Sequence, residues 1–186
     1  MFKKIIYLSL LLCCASFPAA AENREKALNL SFMLGNQTFE GNQSLQTSTA
    51  WGVNLGYNFT ENWGIEGVYT STNADAKNGS TTDTKVKTRR LDLLYHFIPT
   101  QKLVPYVALG VGSIESNPDD GSSRNHLLVN YGVGIKYFIL DDLIALRVDV
   151  RHLLDFPEPD NSLQYSAGFT FQLSRPKQPV KTDKVQ

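Results

Sequence analysis

The sequence has no cysteine after residue 14, no apolar run long enough to span a bilayer as a helix, and no excess of charge of either sign. Each absence narrows the possibilities. Cys13 and Cys14 lie together in the first apolar segment, so the remainder needs no disulfide, even in an oxidising compartment. The apolar run Ile5–Phe17 has 13 residues, short of the roughly 20 that a spanning helix requires. No later segment comes closer. The 18 basic residues equal the 18 acidic ones and form no basic stripe, which argues against a nucleic-acid partner. Histidine is scarce. His96, His126 and His152 are scattered, too few carboxylates have calcium-loop spacing, and no metal or other cofactor is expected.

What is present begins with a leader. Lys3 and Lys4 precede the apolar run, and Ala19, Ala20 and Ala21 form a small-residue cleavage site. Residues 1–21 therefore read as a signal peptide, with Glu22 opening the mature chain. A lipid-anchored cysteine is the alternative, but Leu12 and Cys13 stand where such a signal prefers a small residue. Loss of Lys3 and Lys4 leaves 16 basic and 18 acidic residues, a net charge of −2.

From residue 27 the dominant period is two, the signature of strands. Eight segments alternate: 27–37, 49–59, 63–72, 86–97, 103–114, 127–138, 143–154 and 163–173. Each is close to the 9–11 residues that cross a bilayer as a tilted strand. The connections alternate as well. Residues 38–48, 73–85, 115–126 and 155–162 are long and rich in Asn, Asp, Ser, Thr and Gly, whereas 60–62, 98–102 and 139–142 are short. Long loops at one end and tight turns at the other predict an all-β fold: an eight-stranded antiparallel up-and-down transmembrane β-barrel over residues 22–173. An even strand count puts both termini on the turn side, expected to be periplasmic, with the long loops extracellular.

Residue type decides which face points outward. In the second segment Trp51, Val53, Leu55, Tyr57 and Phe59 oppose Ala50, Gly52, Asn54, Gly56 and Asn58. In the sixth, Val129, Tyr131, Val133, Ile135 and Tyr137 oppose Asn130, Gly132, Gly134 and Lys136. A water-exposed face rarely collects glycine, which weakens strands, whereas the narrow interior of eight strands demands small residues. The apolar face is therefore outside. Trp51, Tyr69, Tyr131 and Tyr165 fall near the loop ends, and Tyr57, Phe59, Trp63, Tyr95, Phe97, Tyr137 and Phe171 near the turn ends, as two interfacial girdles would. A soluble barrel with an aromatic core is the competing reading.

The same parity turns seven charged residues inward: Glu66, Arg90, Asp92, Lys136, Arg147, Asp149 and Arg151. Buried charges persist only when paired, so Glu66, Asp92 and Asp149 are expected to bridge Arg90, Lys136, Arg147 and Arg151 in an interior network. A gated ion path and a solid polar core are both compatible with this, and the small interior width favours the core. Lys87 and Arg89 have outward parity at the loop end. They either snorkel at the rim or meet lipopolysaccharide phosphates.

Several stretches carry a resemblance. These are Tyr57–Glu66 (YNFTENWGIE), Val104–Gly112 (VPYVALGVG), Tyr131–Tyr137 (YGVGIKY) and Leu146–Arg151 (LRVDVR). Residues 25–173 resemble the OmpA-type transmembrane barrel of the small outer-membrane β-barrel superfamily. The resemblance implies the outer membrane of a Gram-negative cell, with membrane lipids and lipopolysaccharide as surroundings. Ser166–Leu173 (SAGFTFQL) is similar to the terminal signal read by the barrel-assembly machinery, although it ends on Leu173 instead of an aromatic residue. Residues 174–186, with Pro176, Pro179 and several lysines, read as a periplasmic linker-like tail. No peptidoglycan-binding domain is expected with this barrel.

No His, Ser and carboxylate arrangement stands at defined strand positions, so no catalytic residue is expected. The expected function is non-enzymatic: a surface scaffold supporting outer-membrane integrity, with at most a narrow, porin-like pore, and a monomer as the expected state. A loop-mediated adhesin and a lipid A- or phospholipid-modifying enzyme are the alternatives.

Overall fold

The computed structural model describes residues 22–39, 48–74, 84–118, 124–140, 142–156 and 160–173. The expected leader (1–21) and tail (174–186), and parts of the loops, lie outside them. Eight strands follow in order: β1 (Ala27–Phe39), β2 (Ser48–Asn58), β3 (Trp63–Ala74), β4 (Thr84–His96), β5 (Leu103–Pro118), β6 (Arg124–Leu140), β7 (Ile144–Phe156) and β8 (Asp160–Leu173). Each pairs antiparallel with its chain neighbour, and β1 pairs with β8 from Leu28↔Leu173 to Phe39↔Ser162, closing the barrel. Closure leaves no strand edge, the condition for placing a sheet in lipid.

The strands run further at the loop end than the sequence pattern indicates. β5 continues to Pro118 and β6 begins at Arg124, so only 119–123 separate them, where 115–126 reads as loop. Only 157–159 separate β7 from β8, where 155–162 was expected. The polar residues there mark departure from the apolar band, and backbone pairing continues beyond it because a ladder needs hydrogen bonds and not apolar side chains. At the turn end the boundaries agree closely. Thr60 Oγ1 accepts from Trp63 N at 2.9 Å and from Asn62 N at 3.2 Å, a side-chain-bonded turn that fixes the β2–β3 register.

The outward face is apolar. Leu34, Leu55, Leu109, Val111 and Val133 are each more than half exposed, the reverse of a water-soluble barrel. Aromatic rings gather at both ends of this band. Trp51 meets Tyr69 at the loop end, and at the turn end Trp63 meets Tyr95 and Tyr95 meets Phe97.

Inside, the packing is layered. Val86, Ile114, Leu128 and Leu153 form an apolar cluster toward the loop end, and Val104, Phe138 and Ala145 form another toward the turns. The charged residues lie between them. Glycine lets the wall approach this core: a Cβ on Gly134 would run into the Tyr106 ring and hydroxyl, and one on Gly110 into the Asp92 carboxylate.

Candidate functional site: the charged lumen

All seven charged residues that parity turns inward are buried, none more than 8% exposed. Consecutive inward positions on β7 place Arg147, Asp149 and Arg151 in a column. The ladders carry them across the lumen from β3 and β4, where Glu66 and Asp92 are paired neighbours.

Arg147 is the centre. Its Nη1 and Nη2 donate to the two Glu66 carboxylate oxygens at 2.6 and 2.8 Å, a bidentate pair. Its Nε donates to Asp149 Oδ2 at 2.6 Å and to the Tyr106 hydroxyl at 2.8 Å. Tyr106 in turn donates to Asp149 Oδ1 at 2.5 Å. Arg151 reaches the same oxygen through Nη2 at 3.0 Å and stands 3.5 Å from Asp92 Oδ2. Asn54 donates to Glu66, and Asn130 to Asp92. The guanidinium carbons of Arg147 and Arg151 lie 5.2 and 5.9 Å from the Tyr106 ring centroid, close enough for cation–π attraction.

Among the described residues Arg90 and Lys136 join no carboxylate at ion-pair distance, unlike the expected network. Arg90 Nη1 donates to Gln164 Oε1 at 2.9 Å. Lys136 Nζ is 3.0 Å from His96 Nε2. His96 Nδ1 faces the Asn62 carbonyl at 3.2 Å, and a carbonyl only accepts, so Nδ1 carries the proton and Nε2 accepts from Lys136. A void of about 20 Å³ beside Arg90, Arg151 and Gln164 has room for about one water molecule. The arrangement fills the interior with charged, hydrogen-bonded side chains between two apolar layers.

Lys87 and Arg89 sit on the outward side of β4 toward the loop end, opposite Ser71 and Tyr69 on β3. Lys87 is half-buried and Arg89 exposed, with Arg89 Nη1 3.3 Å from Glu115 Oε2. They are not part of the lumen.

Three features were not anticipated. Tyr106 is the hub between Arg147 and Asp149; Val107, Leu109 and Val111 face out, so parity places Tyr106 inward. His126 belongs to β6 and not to a loop, with Nδ1 3.2 Å from Asp155 Oδ2. The polar segment 22–26, with nothing strand-like in its pattern, is fastened across the turn end. Among the described residues no group of three or more His, Cys, Asp or Glu could hold a metal ion.

The family model described as outer membrane protein beta-barrel domain matches residues 6–174. No curated protein matches by sequence. Solved structures share the fold. Neisserial surface protein A (NspA) superposes with a TM-score of 0.62 at 15% identity, over 79% of this chain and 96% of that one. The N-terminal β-barrel domain of Pseudomonas aeruginosa OprF gives 0.57 at 16% identity, over 79% and 98%. The outer membrane protein OprG of Pseudomonas aeruginosa gives 0.60 at 13% identity, over 84% and 100%.

Proposed function

The chain belongs to the outer membrane protein β-barrel family, and from that premise we propose that it is a non-enzymatic scaffold of the outer membrane with a closed lumen. One observation carries the reading: Arg147 is fully buried at the lumen centre, held by Glu66 and Asp149 at 2.6 Å each. A conducting path must break that group, and freeing either carboxylate leaves a desolvated charge. Apolar layers on both sides of the network support the same conclusion. The closed sheet offers no edge for strand addition, which favours a monomer. Both termini and the tight turns face the periplasm and the four loops face outward, as in outer-membrane barrels generally. Ser166–Leu173 lies in β8, the strand that closes against β1, a fitting place for an assembly signal.

Planar-bilayer recording tests the closed lumen. The purified full chain is expected to show no steady large openings, and the double variant Arg147→Ala, Glu66→Ala to show openings the wild type lacks. Steady large conductance of the wild type overturns the scaffold reading.

Lys87 and Arg89 are proposed to meet lipopolysaccharide phosphates. Each basic group near an anionic surface contributes roughly 1 kcal/mol. Lipopolysaccharide is expected to raise the unfolding midpoint more than its dephosphorylated form does, and Lys87→Gln with Arg89→Gln to remove most of that difference. An unchanged difference in the double variant rejects the contact.

A further inference from the structure

The segment just ahead of β1 touches all three turns. The Asn23 amide donates to the Pro99 carbonyl in the β4–β5 turn at 2.7 Å. The Asn23 side chain donates to the Glu61 carbonyl in the β2–β3 turn at 2.6 Å and accepts from Asn58 at 3.1 Å. Arg24 pairs with Asp142 in the β6–β7 turn. Gln172 of β8 donates to the Glu22 carbonyl at 3.0 Å, and its Oε1 accepts from the Arg24 amide at 3.3 Å. Lys26, at φ 53°, makes the left-handed bend that returns the chain into β1. Asn23 is fully buried, and Asp142 is 6% exposed. Residues 22–26 thus form a strap over the mouth of the barrel, beneath the layer of Val104, Phe138 and Ala145.

The strap begins at an unusual atom. The Glu22 nitrogen donates to Asp142 Oδ1 at 2.7 Å, while Arg24 occupies Oδ2 of the same carboxylate. In the uncut chain that nitrogen is a neutral amide. We infer that removal of the leader between Ala21 and Glu22 creates an α-ammonium that pairs with Asp142, and that this maturation-dependent ion pair locks the strap across the turn-end mouth. In the step, water adds across the Ala21–Glu22 amide under a signal peptidase. The acyl carbon leaves as the Ala21 carboxylate, and the nitrogen leaves as the Glu22 amine, which takes up a proton at neutral pH. A neutral donor becomes a charged one at a buried carboxylate, so a hydrogen bond in which only the acceptor is ionised becomes an ion pair as well. Asp142 is then held by two cations, one of which exists only after processing. The inference rests on residues 1–21 being a leader, and the experiment reads that premise separately.

Protein purified from outer membranes is first sequenced from its amino terminus. Glu22 is the expected first residue, and any other terminus overturns the inference at its premise. A full-length variant with Gly-Ser inserted between Ala21 and Glu22 keeps the cleavage site but moves the ammonium away from Asp142. Sequencing this variant to a Gly-Ser terminus shows the cut unchanged, and heat-modifiable gel mobility shows that it folds. Hydrogen exchange of the Asn23 amide is expected to quicken by about tenfold, because the insertion leaves a neutral amide donor where the ammonium stood and local opening costs less. In an Asp142→Asn background the same insertion should change exchange little, whereas in an Arg24→Gln background it should still quicken it. Exchange unaltered by the insertion, or an insertion effect of equal size with and without Asp142, rejects the ammonium pair even where the terminus is Glu22.

Discussion

Arg147→Met is expected to lower the unfolding free energy of the barrel by about 3–5 kcal/mol, the usual cost of stripping a buried charge of its partner. Glu66 bears most of the loss. Asp149 keeps Arg151 at 3.0 Å and the Tyr106 hydroxyl at 2.5 Å, whereas Glu66 keeps only the 3.2 Å bond from Asn54 among its described hydrogen bonds. Adding Glu66→Gln should therefore recover a large share, because the orphaned carboxylate and not the missing guanidinium makes the single change so costly. Urea unfolding followed by the fluorescence of Trp51 and Trp63 measures all three proteins. Similar losses for Arg147→Met alone and for the double variant would show that the pair contributes by filling volume and not by charge. Lys136→Met is expected to cost less than Arg147→Met, since among the described residues Lys136 has no carboxylate at ion-pair distance and its partner His96 is left neutral.

The parts of this core that could be read from the sequence are those that period two governs. A strand flanked by lipid and a packed lumen has only two environments, so fixing one outward residue fixes its neighbours. The polarity of Arg147, Asp149 and Arg151 against Leu146, Val148 and Val150 was enough to place all three inside. Partner choice was not legible in the same way. It depends on the register between strands far apart in sequence. Glu66 and Arg147 meet from opposite walls, and Lys136 on β6 reaches His96 on β4 with its Nζ 5.7 Å from the Tyr106 ring centroid. Tyr106 was missed because an aromatic residue in such a barrel suggests the girdle, although the parity of Val107 already turned it inward. The strap was invisible for another reason: Asn23 and Arg24 make their contacts to turns, and no periodic pattern records that. The loop-end boundaries failed because composition reports the edge of the apolar band and not the end of the hydrogen-bonded ladder.

The next residue along β7 gives the sharpest contrast. Val148→Arg is expected to destabilise the barrel by about 2–4 kcal/mol, the cost of a lipid-facing arginine near the midplane. Val148 is 53% exposed on the outward face and lies in the ladder between Ile135 and Ala167, within the aliphatic band and away from both aromatic clusters. Its ladder neighbours Ile135 and Ala167 offer an arginine no carboxylate, and the side chain must bend toward an interface to hydrate its charge. The same side chain one position earlier meets the Glu66 and Asp149 carboxylates. A guanidinium is therefore destabilising at 148 and stabilising at 147, with only the direction of the Cα–Cβ bond changed between them. Unfolding in lipid vesicles measures the cost at 148, and repeating it in bilayers of shorter acyl chains should reduce that cost, because a thinner apolar band shortens the reach to water. The cost of Arg147→Met should be the same in both, since the lumen does not sense bilayer thickness. If the two variants respond alike to thickness, the inward–outward assignment of β7 fails, and with it the separation of a charged interior from a lipid-facing wall.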